Sequence, residues 1–466
     1  MSELPKGWIE TTFENLIDSI TNGIADKQNK ECNGIPVSRI ETIADETINY
    51  ARIGYVADYD DVKAKKYALT AGDILFSHIN SPLHLGKTAI FDGAQELFHG
   101  TNLLRIVIDK RVTLPYYFNY YCKFTRAIGA FSLNAQHAVN QSSLNQKKIK
   151  AFSIPLAPLV EQKRIVEKLD EVLAQVDTIK ARLDGIPALL KRFRQSVLAS
   201  AVSGKLTSQD VSTQSSLVGD PWSHEVKAPS HWNLYEFKQA VKITGGSQPP
   251  KSEFKAEYEE GLVRLIQIRD YKSDKFLVYI PLDKAKRFCT EKDIMIGRYG
   301  PPIFQILRGI SGAYNVALMK AEPAIDDLDL EYLYRFLQNP KLFHYIDAGS
   351  DRTAGQAGVN KKFLESYPLF VPPLEEQKEI VRLVDQYFAF ADTIEAQVKK
   401  VQARVDNLAQ SILAKAFRGE LVPQDPNDEP ADKLLERIAL ARKEAEALAK
   451  AAKKAEAAKK KVAKSV

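Results

Sequence analysis

Apolar residues recur along two stretches of the chain at alternating steps of four and three. In the first they are Ile165, Leu169, Val172, Val176, Ile179, Leu183, Ile186, Leu190, Phe193 and Val197. In the second they are Ile380, Val384, Tyr387, Ala391, Ile394, Val398, Val401, Val405, Leu408 and Ile412. A period of about 3.5 residues over several heptads predicts two long helices that pair along one seam. The expected core of that pair is Ile165, Leu169, Val172, Val176, Ile179 and Leu183 with Ile380, Val384, Tyr387, Ala391, Ile394 and Val398. Pro158-Leu159 and Pro373-Leu374 mark the helix starts, and Gly204 and Gly419 sit where a glycine stop belongs. Gly185-Ile186-Pro187 interrupts the first stripe and predicts a break near 185–187.

Away from these stretches the apolar positions alternate or run short. IPVSRIETI (35–43), GLVRLIQIRDY (261–271), GDILFSHI (72–79) and KDIMIGRY (292–299) read as strands. Aromatic-rich PYYFNYYCKF (115–124) and LEYLYRFLQN (330–339) read as helices. The expected class is α+β: two modules of mixed helix and strand separated by two long antiparallel coiled-coil helices.

The two helical stretches are also copies of one another. Residues 158–206 align with 373–421 at a constant offset of 215, with 21 identities over 49 positions. Weaker echoes precede each copy: Leu4-Pro5-Lys6-Gly7-Trp8 faces Ala228-Pro229-Ser230-His231-Trp232, Gly72-Asp73-Ile74-Leu75 faces Lys292-Asp293-Ile294-Met295, and Asn145 faces Asn360. The chain therefore divides into a first module (1–157), a first helix (158–206), a Ser/Thr/Gln-rich linker (207–228), a second module (229–372), a second helix (373–422) and a C-terminal turn, helix and Lys-rich tail (423–466). A helix of about 43 residues is roughly 64 Å long. A module of about 155 residues spans only about 40 Å. The second module cannot easily reach from one end of such a helix to the other, so the helices are expected to run antiparallel.

Charge adds less than it first suggests. The net charge is +6, but residues 442–466 carry nine Lys/Arg against three Glu. That leaves 56 of the 65 basic and 56 of the 59 acidic residues in the rest, which is balanced. Electrostatic grip on a polyanion must then come from local patches or from a partner. The tail itself reads as a helix to at least about residue 450 with a solvated end.

Cys32, Cys122 and Cys289 lie far apart, which argues against a disulfide framework or zinc knuckle. The opening MSELPKGW lacks a basic-then-apolar pattern and no run of 18 apolar residues exists, so a cytoplasmic chain with no membrane partner is expected.

Catalytic constellations are missing or broken. Ser81…Gly86-Lys87-Thr88 matches a phosphate loop only at its end, and Pro82 removes a donor that loop needs. Tyr299-Gly300-Pro301-Pro302-Ile303-Phe304 is similar to the Pro-Pro-aromatic motif of amino-methyltransferases, but Gly300 offers neither amide nor carboxylate. His78 and His84 lack a third ligand, so no metal is expected. Glu161/Lys163 and Glu376/Lys378 read as surface and cap features. A chain of this length with no catalytic set points to binding or scaffolding.

The doubled PL-x-EQ-x-x-I helix start, the two dissimilar modules, the opening LPKGW, the run Leu189-Leu190-Lys191-Arg192-Phe193-Arg194-Gln195 followed by Val197-Leu198, and the closing GELVPQDPNDEPADKLLERI resemble the specificity (S) subunit of type I restriction-modification systems. The resemblance implies that each module is a target-recognition domain reading one half of a bipartite, asymmetric site in double-stranded DNA. The helices would set the spacer and dock two modification subunits, which bind S-adenosylmethionine and methylate adenine N6. Two restriction subunits, driven by ATP with Mg, would complete a translocating endonuclease. The chain itself would be a non-catalytic recognition subunit without a cofactor. The rival expectation is a coiled-coil scaffold carrying two protein- or carbohydrate-binding modules.

Base readout favours Arg, Lys, Asn, Gln and His on loops or strand ends. In the first module the candidates are Ser77, His78, Asn80, His84 and Lys87, then Asn134, Gln136, His137, Asn140 and Gln141. In the second they are Arg298, Tyr299, Gln305 and Arg308, then Arg352, Thr353 and Gln356. Asn145 and Asn360 read as helix caps.

Overall fold

The computed structural model describes residues 3–57, 59–138, 141–207, 212–353 and 356–462. The chain forms two compact units, Met1–Arg182 with Val401–Val466, and Leu183–Lys400. Each unit thus holds one module, the near half of the helix that follows it, and the far half of the other long helix.

Both modules are built on one plan. In the first unit, strand Ile9–Thr12 pairs antiparallel with Ser153–Leu156, tying the start of the module to its end. A single helical turn, Phe13–Leu16, then feeds Ile17–Asn22 into a four-stranded antiparallel sheet of order 17–22, 104–108, 74–76, 88–90. In the second unit the same parts are Asn233–Glu236 with Pro368–Val371, the turn Phe237–Ala240, and a sheet of order 241–245, 318–323, 294–297, 305–307. Phe13 and Phe237 are fully buried at equivalent points, each worth roughly 1.5–3 kcal/mol of apolar burial.

The aromatic segments are helices as expected. Pro115–Ala127 buries Tyr117, Phe118 and Cys122, and Leu330–Leu337 buries Tyr332, Leu333 and Phe336. Their alternation of large apolar and polar residues at helical spacing places one face against the sheet.

The strands expected over 35–43 and 261–271 are shorter than the apolar pattern. Ile35–Val37 and Leu262–Ile266 are strands, and each gives way to a 3-10 turn, Ile40–Ile43 and Ile268–Tyr271. A side chain three residues on captures the backbone N–H at the bend: Arg39 N–H donates to Thr42 Oγ1 at 2.9 Å, and Gln267 N–H to Asp270 Oδ2 at 3.0 Å. That local bond competes with the ladder and ends the strand.

Each long helix is locked to its module by the glutamine of the repeated Glu-Gln pair. Gln162 is fully buried. Its Oε1 accepts from Thr113 Oγ1 and Leu114 N–H, both at 2.9 Å, and its Nε2 donates to the Val112 and Ala157 carbonyls. Gln377, equally buried, accepts from Asp329 N–H at 2.8 Å and donates to the Asp327 and Pro372 carbonyls. The preceding glutamates are not surface features, contrary to expectation. Glu161 is buried and accepts from Trp8 Nε1 at 3.0 Å, and burial raises its pKa. Glu376 bonds Thr207 Oγ1 at 2.7 Å and His231 Nε2 at 2.8 Å. Both helix starts therefore spend their polar side chains on the module rather than on water.

The far ends of the helices are seated by glycine. Gly419 adopts φ +71°, and a Cβ there would lie 2.3 Å from Pro5 Cγ. Gly204 adopts φ +75°, with the same 2.3 Å approach to Pro229 Cγ. Only glycine permits both the left-handed stop and the close proline. Just before Gly419, the Tyr117, Tyr121 and Phe124 rings surround Phe417 at 5.3, 4.9 and 5.7 Å.

The helix segments run antiparallel in both units. Lys180 pairs with Asp406 at 2.7 Å in the first, and Arg194 with Asp392 at 2.6 Å and Glu395 at 3.1 Å in the second. Of the expected core, Ile165, Leu169, Val176, Ile380, Val384, Ala391 and Val398 are buried, and Val172, Leu183 and Ile394 are half-buried. Ile179 and Tyr387 are corrections: they are 44% and 40% exposed. A two-helix seam is shallow, so residues at its edge keep contact with water.

The break expected near 185–187 does not interrupt the first helix, which is continuous from Leu159 to Ala201 with Pro187 inside. An interior proline removes one helical hydrogen bond, and the helix runs on through it. The stretch read as a linker, 207–228, contains the antiparallel hairpin Thr213–Val218 and His224–Pro229, which buries Val218, Val226 and Ala228. The C-terminal helix runs Ala431–Val462. Its first turns bury Ala431, Leu434 and Ile438, and Arg442 pairs with Asp109 at 2.6 Å.

Replacing Gln162 by Leu leaves the Leu114 N–H and Thr113 hydroxyl without their acceptor and is expected to destabilise the first unit by roughly 1–3 kcal/mol. Urea unfolding of wild type and variant measures this, and an unchanged midpoint would contradict the role given to Gln162.

Candidate nucleic-acid interface

In each module the central strand leaves the sheet and meets a small hairpin. In the first, Ile74–Phe76 continues through Ser77 and His78 to a short strand, Ile79–Asn80. That strand pairs with Gln141–Ser143, which pairs with Gln136–Ala138. The two candidate clusters, far apart in sequence, thus meet in one three-stranded sheet. In the second module Ile294–Gly297 continues to Arg298 and Tyr299, Tyr299 bridges Gly358, and Asp351–Thr353 pairs with Gln356–Gly358. The same backbone bond closes both: Leu144 N–H to His78 O, and Val359 N–H to Arg298 O, each at 2.9 Å.

The candidates in the first module divide by exposure. His84, Asn134, Gln136, His137 and Gln141 are exposed and Asn80 is half-buried. His137 Nδ1 lies 2.7 Å from Ser142 Oγ, which orients the ring on the hairpin. Asn134 Nδ2 donates to the Ala130 carbonyl. Ser77 and His78 are buried beneath this surface, and Lys87 Nζ donates to the Ala44 carbonyl at 2.5 Å. Those three face the module rather than solvent. Asn140 lies outside the described residues. Gly86, which ended the incomplete phosphate loop, has a packing reason for being glycine: a Cβ would meet the Phe131 ring at 2.3 Å.

The second module presents a more cationic surface. The Arg298 guanidinium lies over the Tyr299 ring at 5.2 Å, a cation–π contact at the strand exit. Gln305 Nε2 donates to the Pro302 carbonyl at 3.0 Å. Arg308 is held inside the module: it makes two bonds to Glu331, at 2.7 and 2.8 Å, over the Tyr334 ring. Arg352, Thr353 and Gln356 occupy the hairpin strands. Asn145 and Asn360 cap the helices Gln146–Lys150 and Lys361–Ser366 through their side chains.

A polarity-based reading passes over two groups. Leu83 and Leu133 stand 74% and 83% exposed beside the polar cluster of the first module. Apolar side chains of this kind contact the thymine methyl in a major groove. In the second module a cleft of about 690 Å³ opens beside Tyr299 and Gln305, and Arg269 and Lys272 form its other wall. Neither basic residue stands out in sequence, because the wall exists only once the 3-10 turn is folded. Among the described residues, no group of three His, Cys, Asp or Glu side chains is placed to hold a metal ion.

Behind the first module's surface sit two buried imidazoles. Burial lowers the pKa of His78. It pushes His99 down to about 4 from an ordinary 6.5, opposed by a bond to the Leu103 carbonyl.

Comparison with known proteins agrees with this doubled plan. Residues 5–188 and 229–402 each match the sequence family described as the type I restriction modification DNA specificity domain. The chain is 34% identical over 326 residues to the type I restriction enzyme EcoKI specificity subunit of Escherichia coli K12, covering 65% of this chain and 67% of that one. It is 29% identical over 477 residues to the StySPI specificity subunit of Salmonella potsdam, covering 94% and 96%. Its fold is similar to a chain from a structure described as the basis of complex assembly and conformational transition of the type I R-M system. The TM-score is 0.66 at 18% identity, over 90% of this chain and 100% of that one.

His99 gives a pH dependence. Its folded-state pKa lies below its unfolded one, so its contribution is fully present above about pH 6.5. It is lost as pH falls toward 4, by roughly 2–3 kcal/mol at the low end. Between about pH 7 and pH 5 the urea midpoint is expected to fall more for wild type than for His99→Gln. Equal shifts would contradict this.

Proposed function

The chain belongs to the type I restriction-modification DNA specificity family and is a specificity subunit, and from that premise we propose that each module reads one half of a bipartite, asymmetric site in double-stranded DNA. One observation carries this reading: the same strand exit and hairpin recur in both modules with different side chains upon them. Identical scaffolds bearing His84, Asn134, Gln136, His137 and Gln141 in one case, and Arg298, Tyr299 and the 351–358 hairpin in the other, suit two unlike half-sites. In this reading the long helices would set the unread spacer.

The same helices offer places for partner subunits. Ile179, Val401 and Leu408 are exposed in the first unit, and Leu189, Tyr387 and Phe390 in the second. Exposed apolar residues at helical spacing suit the docking of other helices. Because the two helix segments repeat in each unit, two equivalent modification subunits would bind. Those subunits would carry S-adenosylmethionine and methylate adenine N6. Two restriction subunits would add ATP- and Mg-dependent translocation and cleavage. In this scheme the chain supplies recognition in the cytoplasm and performs no chemistry. Family membership favours DNA over a scaffold for protein or carbohydrate.

Methylation sequencing of cells carrying this chain with its modification subunit is expected to show N6-methyladenine at one split motif, absent from a control without the chain. Assembly of the complex with no such motif would defeat the reading. Within the assembled complex, Arg298→Ala is expected to weaken binding to that motif by about 1–3 kcal/mol while leaving random duplex little affected. Equal losses on both duplexes would make Arg298 a backbone contact instead.

A further inference from the structure

The cleft of the second module has two unlike walls. One is the 3-10 turn Ile268–Tyr271 with its closing residue Lys272, and it presents Arg269 and Lys272, both exposed. The other is the loop from Tyr299 to Gln305, with Pro301 and Pro302 on the rim. Asp347 is the one acidic residue among those lining the cleft. Arg269 is braced rather than consumed. Its guanidinium lies over the Phe276 ring at 5.6 Å and donates to the Phe276 carbonyl at 3.3 Å, and its Nε stands 3.9 Å from Asp270.

The first module has a lysine spanning the equivalent place. Its 3-10 turn Ile40–Ile43 ends at Ala44, the position Lys272 holds in the second module. Lys87 directly precedes strand Thr88–Ile90, as Phe304 precedes Gln305–Leu307. In the first module the lysine stands on the loop and straps across to the Ala44 carbonyl. In the second the lysine stands on the turn, and buried Phe304 occupies the loop position. The cation has changed walls, and the strap has become an open cationic edge.

This edge adjoins the Arg298–Tyr299 strand exit, where the hairpin begins. Two cations at an open edge continuous with that surface fit a polyanion. We propose that the sugar-phosphate backbone of the half-site read by the second module lies along this cleft, with Arg269 and Lys272 as its phosphate-binding residues. The proposal rests on the DNA-reading function and assigns phosphate contacts to two residues in one module. In the first module the Lys87–Ala44 bond occupies the corresponding place.

The test uses the assembled complex with its modification subunits and a duplex carrying the motif that wild type methylates. Binding is followed across a salt series for wild type, R269A/K272A and R269K/K272R. Loss of two phosphate contacts is expected to make the slope of log affinity against log salt shallower by about two and to weaken binding at least about tenfold at low salt. The methylated motif is expected to stay the same, and the charge-conserving variant to restore the slope. An assembled R269A/K272A complex with an unchanged slope overturns the proposal, as does a motif relaxed at one base pair with no change of slope. A wild-type complex that methylates no split motif instead removes the function on which the proposal stands, before any variant is compared.

Discussion

The direction of each long helix from its module depends on a buried glutamine at the root of that helix. A primary amide has two donors and an acceptor with two lone pairs, and in a dry site each must be met. Gln162 meets them with a loop on one side and the strand end at Ala157 on the other. Gln377 does the same with Asp327, Asp329 and Pro372. Every one of those partners belongs to the module. The helix cannot rotate or slide at its root without stranding several polar groups at once, so its direction is fixed relative to the surface the module presents. Under the proposed function, that fixed direction would orient the surface that each module presents to its half-site.

The far ends are fixed by a different means. Gly419 closes on Pro5 and Gly204 on Pro229, each too tightly for any Cβ. A helix therefore begins by hydrogen bonding to one module and ends by steric fit within the other unit. The chain has a circular logic despite its two ends: the start of the sequence seats the end of the second helix, as the start of the second module seats the end of the first. Beyond these seats the two units diverge. A hairpin covers the second module at 213–229, and a helix beginning at Ala431 covers the first.

The scaffold was legible in sequence where one residue has one physical job. The heptad stripe predicts Leu169 and Val384 in the seam, both fully buried. The repeated Pro-Leu and glycine positions predict the limits of the long helices, and Asn145 and Asn360 predict the caps of the short helices they begin. Legibility fails where the outcome depends on three dimensions. Ile179 and Tyr387 obey the heptad but sit at the edge of a shallow seam. Glu161 is buried because Trp8 reaches it from 153 positions away. The hairpin at 213–229 carries Ser215, Ser216 and Ser223 among its turn and strand residues, and its apolar residues alternate too sparsely to announce a strand. On the candidate surface, composition pointed to loops that the fold brings together but not to which of their side chains are exposed. Ser77, His78 and Lys87 point inward, whereas Arg269 and Lys272 join the surface only through a turn set by a single Asp270 bond.

That selective exposure also explains the balanced charge of the bulk. Many of its guanidinium groups answer to a carboxylate of the same unit: Arg308 to Glu331, Arg164 to Asp428, Arg194 to Asp392, Arg442 to Asp109. Asp109 illustrates the strength of such pairing, since Arg111 beside it, with Arg442, holds its carboxyl down to about 2. Cations paired in this way add rigidity but little long-range field. Each cation paired in this way is withheld from non-specific duplex, whose affinity scales with the phosphates a protein neutralises. Sequence discrimination is a difference between two affinities, so lowering the non-specific one raises it as effectively as adding a base contact. On this view the near-neutral bulk is part of how such a subunit discriminates. Under the proposed function, further backbone attraction would come from partner subunits, and the specific contacts from a small number of positions on the two matched hairpins.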